Sequence, residues 1–331
     1  MDDGQAKHAT LLANAVTLGG DFVASIANVA PSSGVAYTLA LLVSFSGLAS
    51  PLAVLVAGIL MLLVAIGYSR LNNWRPHAGA PYVWVGTIAP VCGYATGLLA
   101  ILASTVANIG NITLAGSYLL GVVSPGTTFP NFVVFLVSSV VMALVIELAV
   151  YGIRPSINVQ TAIIAFEYAI VILFVILALK HEAIDHVAGT TAPSLAAFSI
   201  QTSPKGLSGL FSAIVICGFL YSGWEAPLIL GEESQKPHFN PGRAAIMGVV
   251  FLTIWYTFLI IVFQGVAAPK NILANGTDVL SYAGRLLLPD PWSRLLPLAV
   301  LSAVFATAQM QLSESSRIAF VGLAILPSLV R

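Results

Sequence analysis

The chain has 331 residues, 58% of them hydrophobic and only 8% charged, with a mean hydropathy of +0.95 and a formal net charge of +0. Soluble domains carry about 45–50% apolar and about 25% charged residues, so the composition excludes an ordinary water-soluble fold and points to a polytopic membrane protein. Zero net charge gives no electrostatic footing for nucleic acid.

Residues 1–16, opening Met1-Asp2-Asp3, are polar and lack a basic n-region, so they read as a cytoplasmic tail and not as a cleavable signal peptide. About 20 apolar residues cross a hydrocarbon core of about 30 Å. Eight stretches meet that need: Thr17 to Phe45, Pro51 to Tyr68, Cys92 to Val123, Phe132 to Tyr151, Ile157 to Leu179, the stretch around Ile214 to Glu233, Ala244 to Ala267 and Leu295 to Leu323. Polar loops are expected at Ser69 to Pro81, Ser124 to Pro130, Lys180 to Ser208 and Pro269 to Arg294, with a tight turn at Arg154-Pro155. With the N-terminus inside, Lys7, Arg70, Arg75, Arg154, Lys236, Arg243, Arg317 and Arg331 face the cytoplasm. Lys180, Lys205, Lys270, Arg285 and Arg294 face out, a modest positive-inside bias.

Two of these spans are interrupted. The first contains Ala30-Pro31-Ser32-Ser33-Gly34 at its centre, and the sixth contains Ser222-Gly223, then Glu225 and Pro227. Glycine loosens the backbone, and proline removes a donor and breaks the i to i−4 ladder. Broken spans at matching places in two halves of a chain point to a transporter binding site. The layout predicts a tail (1–16), a first five-helix repeat (17–184), an extracellular loop (185–206) and a partial second repeat (207–331) that stops after span 8. The chain is therefore expected to be C-terminally truncated. Alone it is expected to be unstable or inactive, needing further sequence, a partner or self-association.

Neither metal nor cofactor is expected. Cys92 and Cys217 lie in apolar runs with no His or Cys beside them and read as small buried residues. An integral membrane enzyme would need an intramembrane constellation such as His-x-x-x-His. His8, His77, His181, His186 and His238 all fall in loops or tails.

Four stretches carry a family resemblance. They are the break Ser32-Ser33-Gly34-Val35; the loop motif Ala78-Gly79-Ala80-Pro81-Tyr82-Val83-Trp84; the run Phe219 to Glu225 with its Ser-Gly-aromatic-Glu ending; and Glu232-Glu233 through Pro237 to Arg243-Ala244. In this order they resemble the amino acid–polyamine–organocation permeases, from about residue 17 to about residue 320. The resemblance implies an all-α fold like the bacterial leucine transporter, a five-plus-five inverted repeat that is incomplete here. Two stretches depart from the family pattern: Ala30-Pro31, where glycine is commoner, and Gly322 to Pro327, where an Arg-Asp-Gly turn is usual.

The resemblance implies a secondary transporter of amino acids or related amines, proton-coupled or exchanging. A non-transporting membrane subunit or sensor is the alternative. The amides of Ser32, Ser33 and Gly34, freed at a helix N-terminus, suit a carboxylate. The carbonyls and rings of Phe219, Tyr221, Ser222, Gly223 and Trp224 suit an ammonium. Asn108, aligned where relatives place a substrate-contacting Asn, and Asn111 share one face of span 3; interhelical bonding is the alternative for both. Glu225 is read either as a proton carrier or as a partner of the span 1 amides, and Glu167 either as a proton carrier or as a Glu paired to backbone or to Arg317. Glu147 and Glu314 are expected near span ends, and Gln309 and Gln311 either reach the pocket or pack. Arg70, Arg75 and the Glu232 to Arg243 loop read as a cytoplasmic gate network or as topological charge.

Overall fold

The structure is a computed structural model that describes residues 13–124, 127, 129–150, 153–276 and 279–329. Lys7, His8, Tyr151 and Arg331 lie outside the described residues, as do Pro125, Gly126 and Thr128 of the expected turn. Among the described residues thirteen α-helices run in chain order: α1 (Leu18–Val29), α2 (Pro31–Ser46), α3 (Ser50–Trp74), α4 (Pro81–Gly86), α5 (Pro90–Val123), α6 (Asn131–Val150), α7 (Ile153–Leu179), α8 (Gly206–Leu220), α9 (Ala226–Ile229), α10 (Asn240–Phe263), α11 (Pro269–Ala274), α12 (Val279–Leu287) and α13 (Leu295–Leu329). Among the described residues the one strand-like feature is a parallel bridge between Val16 and Ser234.

Among the described residues five helical stretches are long and apolar enough to cross a membrane: Leu18–Trp74, Pro90–Val123, Asn158–Ile184, Asn240–Phe263 and Trp292–Ala319. Asn131–Glu147 and Gly206–Leu220 are shorter apolar helices. The chain is thus a multi-pass integral membrane protein. Large apolar side chains stand exposed on the outer helix faces, as a hydrocarbon solvent favours: Leu99 and Val106 on α5, and Phe132 and Phe135 on α6, are well exposed.

Packing pairs the helices in a regular way. The two halves of the first broken span, α1 and α2, meet the two halves of the second, α9 and α8. Helix α3 lies along α10, and α5 along α13. Small residues let these backbones approach, as is usual where lipid supplies no hydrophobic drive between helices. At Gly58 of α3, a Cβ would stand 2.3 Å from Thr253 Oγ1 of α10 and 2.6 Å from the Tyr221 hydroxyl. At Gly248 of α10, it would stand 2.1 Å from Ser25 Oγ of α1.

Several boundaries differ from the sequence reading. Helix α3 continues to Trp74, so Ser69 to Trp74 is helical and not loop. Asn72 explains the extension: it is buried, and its Nδ2 donates to the Pro237 carbonyl at 2.8 Å. Arg154-Pro155 falls in the first turn of α7, where proline has no helical hydrogen bond to lose. Helix α10 starts at Asn240, with Pro241 in its first turn. The polar loop from Pro269 to Arg294 contains α11 and α12, and α12 buries Val279, Leu280 and Ala283 on one face. Cys217 is buried as expected, but Cys92 is exposed in the first turn of α5.

The close approaches give a direct test. Gly58→Leu forces α3 away from α10 and is expected to destabilise the protein by about 1–3 kcal/mol. Gly67→Leu on the same helix meets nothing within 4 Å and is expected to be near neutral. Thermal melts of the two variants in mild detergent check the contrast.

Candidate functional site

The first break is a single residue. Ala30 sits at φ 47°, ψ 75°, ending α1 and starting α2 with Pro31 in the first turn. Left-handed backbone is costly for alanine, so surrounding contacts must hold it. Two orphan carbonyls of α1 are met from other helices. The Thr307 hydroxyl of α13 donates to the Ala27 carbonyl at 3.1 Å, and the Tyr256 hydroxyl of α10 donates to the Val29 carbonyl at 3.4 Å. On the α2 side, Glu167 of α7 acts as the helix cap. Its Oε1 accepts from the Ser32 amide at 3.1 Å and from the Ser32 hydroxyl at 2.5 Å. A carboxylate at a helix N-terminus is favoured by both the free N–H groups and the macrodipole.

The second break runs from Tyr221 to Glu225, between α8 and α9, with Gly223 at φ 109°. Glycine is required here: a Cβ would meet the Asn28 carbonyl oxygen at 2.8 Å, and the φ itself disfavours L side chains. Helix α1 is pinned to this break. The Ser25 hydroxyl donates to the Trp224 carbonyl at 2.9 Å, and Asn28 Nδ2 donates to the Gly223 carbonyl at 3.1 Å. Glu225 folds back, its Oε2 accepting from the Gly223 amide at 3.2 Å.

Beside this break lies a cavity of ≈ 180 Å³. One wall is Asn28, Ser222, Gly223, Glu225 and Ile229; the other is Ala100, Ala103, Ser104 and Ala107 of α5 with Gln311, Glu314, Ser315 and Ile318 of α13. Glu225 and Glu314 are close enough to repel electrostatically, and Glu314 also meets the Asn28 side chain. Within the second wall, α5 and α13 are joined by Ser315 Oγ donating to Ser104 Oγ at 2.8 Å and by Asn111 Nδ2 donating to Gln311 Oε1 at 3.2 Å. Among the described residues no group of three or more His, Cys, Asp or Glu is placed to hold a metal ion.

The expected site residues divide into three groups. Ser222, Gly223 and Glu225 line the cavity, and Asn111 joins it through Gln311. Ser32, Ser33 and Gly34 lie elsewhere in the bundle: the Ser32 amide is occupied by Glu167, and Ser33 Oγ donates to the Ala30 carbonyl at 3.0 Å. A Cβ at Gly34 would stand 2.8 Å from the Tyr256 hydroxyl and 2.9 Å from Leu220, so this glycine serves helix packing in the structure. Tyr221 donates to the Val54 carbonyl at 3.1 Å, and Trp224 packs on Tyr68 with ring centroids 5.5 Å apart. Asn108 is buried in a different groove, between α5, α6 and α13. Phe219 is 65% exposed, on the outside of α8, away from the cavity.

Two sequence readings need correction. Glu314 is not interfacial; it is buried and lines the cavity. Arg317 does not pair with Glu167; its Nε donates to Glu233 at 2.5 Å. Asn28 was not singled out at all. Its signal was position, since it stands just before the break on the end of α1.

At one end of the bundle the 231–240 segment ties three other segments together. The Val16 amide donates to the Glu233 carbonyl and the Gln235 amide to the Val16 carbonyl, both at 2.9 Å, and the Ser234 hydroxyl donates to Asp21 at 2.7 Å. The Ala78 amide donates to Glu232 Oε1 at 2.9 Å, with His77 Nδ1 3.2 Å from the same oxygen. Glu232 and Glu233 pair with His77 and Arg317, and not with Arg70 or Arg75.

A model of the amino acid permease family matches residues 15–320. The chain belongs to that family. It is 24% identical over 270 residues to the large neutral amino acids transporter small subunit 2 of Mus musculus, covering 81% of this chain and 50% of that one. It is 22% identical over 270 residues to the b(0,+)-type amino acid transporter 1 of Mus musculus, covering 80% and 53%. The Asc-type amino acid transporter 1 of Mus musculus is 26% identical over 126 residues, 38% of this chain and 23% of that one. The chain therefore spans about half the length of the first two relatives. Family and relatives are transporters, not enzymes.

Two predictions concern what holds this family member's site. Glu167→Ala strands the buried Ser32 amide and is expected to cost about 1–3 kcal/mol. In a double-mutant cycle with Ser32→Ala, melting data should give a clearly non-additive coupling. The second concerns His77, outside the membrane-spanning helices. Burial lowers its pKa from the ordinary 6.5, with Glu232 opposing and Arg75 adding to the shift. The folded chain then takes the proton less readily than the unfolded chain. Stability is complete above about pH 6.5 and falls as pH drops through that value. His77→Gln is expected to flatten this slope in melts run between pH 5 and 8.

Proposed function

We propose that this family member is a secondary active transporter that moves amino acids or related amines across the cytoplasmic membrane by alternating access. One observation carries the reading: the cavity lies between a broken-helix unit and a straight-helix wall. Ser25 and Asn28 tie α1 to the break between α8 and α9, so both broken spans form one body. Helices α5 and α13 form the other wall. Rocking one against the other exposes the cavity to alternate sides, as inverted-repeat transporters do. The pairing of α3 with α10 and of α5 with α13 supports a five-plus-five inverted repeat, in which the described helices supply spans 1–8. We place the N-terminus in the cytoplasm, the first repeat in 17–184 and the second from 207.

Glu167 has a specific part in this reading. Its carboxylate sits on the Ser32 amide and hydroxyl, where a substrate carboxylate would bind. Protonation of Glu167 weakens that cap and frees the site, which links proton uptake to substrate entry. Glu225, bonded to the second break, is the alternative proton carrier.

The experiment is uptake into proteoliposomes of labelled leucine, arginine, glutamate and putrescine, with and without a pH gradient. Saturable uptake stimulated by the gradient is expected. Glu167→Gln or Glu225→Gln should still exchange substrate but lose gradient-driven accumulation. Full accumulation in both variants removes proton coupling through these residues. Binding without flux favours the membrane subunit or sensor reading.

A further inference from the structure

We propose that the end of the bundle where α3 finishes and α10 begins is a docking surface for anionic phospholipid, with Arg70, Arg75, Lys236 and Arg243 taking the phosphates of the adjoining leaflet. The proposal goes beyond the transporter reading and does not depend on it.

Two exposed helix faces lead to this end. On α3, Leu63, Gly67, Arg70 and Trp74 are all exposed and recur at steps of four, three and four residues, so they share one face. On α10, Arg243, Met247, Val250 and Ile254 are exposed at the same steps. Each face is apolar along the helix and carries an arginine near its end.

Close packing holds the two ends together. A Cβ at Gly242 of α10 would stand 2.9 Å from Ser69 Cα of α3. Asn72 Nδ2 donates to the Pro237 carbonyl at 2.8 Å, and His238 Nδ1 lies 2.9 Å from the Asn73 carbonyl oxygen. The 236–239 segment therefore rests on the last turn of α3 and adds Lys236 to the rim formed by Arg70, Arg75 and Arg243.

All four cationic residues are exposed, and none forms an ion pair among the described residues. The acids of the neighbouring segment are engaged elsewhere: Glu233 with Arg317, and Glu232 with the Ala78 amide and His77. Two aromatic rings complete the surface, Trp74 60% and Phe239 58% exposed. Rings of this kind sit at the boundary between hydrocarbon and headgroups, and long cationic side chains reach along it to the phosphates. Four like charges attract an anionic leaflet, and arginine adds bidentate hydrogen bonds to phosphate. A zwitterionic lipid brings its own cation, which these side chains repel. Charge that only sets orientation in the membrane predicts no such preference among lipids, which separates the two readings.

The test uses the full chain in detergent micelles, titrated with dibrominated phosphatidylglycerol or dibrominated phosphatidylcholine and read by tryptophan quenching. Trp74→Phe identifies the part of the signal that comes from this surface. That part is expected to respond to the anionic lipid with an affinity about tenfold or more above that for the zwitterionic one. Arg70→Gln combined with Arg243→Gln is expected to abolish the preference. Lys180→Gln combined with Lys205→Gln is the control, since Lys205 lies over Phe45 at the other end of the bundle, and is expected to leave the preference unchanged. If the arginine variant does not fold, judged by its melt, salt is raised on the unaltered chain from about 0.1 to about 1 M, which shortens the screening length from about 10 to about 3 Å and should remove the preference. Equal affinity for the two lipids, a preference that survives in the folded arginine variant or in high salt, or one lost equally in the lysine variant overturns the proposal. Quenching that Trp74→Phe leaves unchanged places the lipid elsewhere and also overturns it. Displacement of the anionic lipid by inorganic phosphate at comparable concentration assigns the cations to a soluble anion and overturns the lipid surface.

Discussion

A helix that stops in the middle of a membrane leaves backbone N–H and C=O groups with no helical partner, and hydrocarbon offers none. The organisation of this protein follows from meeting that demand twice. At the first break, α13 supplies Thr307, α10 supplies Tyr256 and α7 supplies Glu167. At the second, α1 supplies Ser25 and Asn28. Each break is thus a junction that fixes the positions of other helices. The tight approach of α1 to α10, made through Gly248, brings these donors and acceptors within reach.

The same demand assigns different chemistry to three carboxylates, buried Glu167 and Glu314 and half-buried Glu225. Glu167 faces a helix N-terminus, so one of its oxygens is paired by an amide and a hydroxyl. Glu225 bends back to a single amide of its own break. Glu314 faces Asn28 and Glu225 across a cavity, leaving one oxygen without a donor among the described residues. A capped carboxylate stabilises the fold. A pair of carboxylates facing a cavity costs stability while both are charged.

Much of this was legible in the sequence. Composition alone required a membrane protein, and Pro31 and the Ser222-Gly223 pair located both breaks, because these residues act on the backbone of their own helix. Glu232 and Glu233 were expected to meet Arg70 and Arg75 or to be topological charge, and they pair with His77 and Arg317 instead. Partners were not legible. Glu167 was paired with Arg317 as one option, yet which of several buried carboxylates reaches a given cation depends on how helices rotate about their axes. A shift of one residue turns a side chain by about 100°, and span boundaries read from hydropathy are uncertain by more than that.

What the sequence determined by itself, then, is everything set within one helix: apolar length, broken centres, and the glycines and prolines that enforce them. Tertiary structure decided which groups meet. It turned Phe219 outward and Asn108 into a separate groove, gave the Ser32 amide to Glu167, and brought Asn28, Glu225 and Glu314 around one cavity from positions 28, 225 and 314 of the chain. The physical reason is that helix facing in a membrane is selected by close packing and by the pairing of buried polar groups between helices, and both are properties of the assembled bundle.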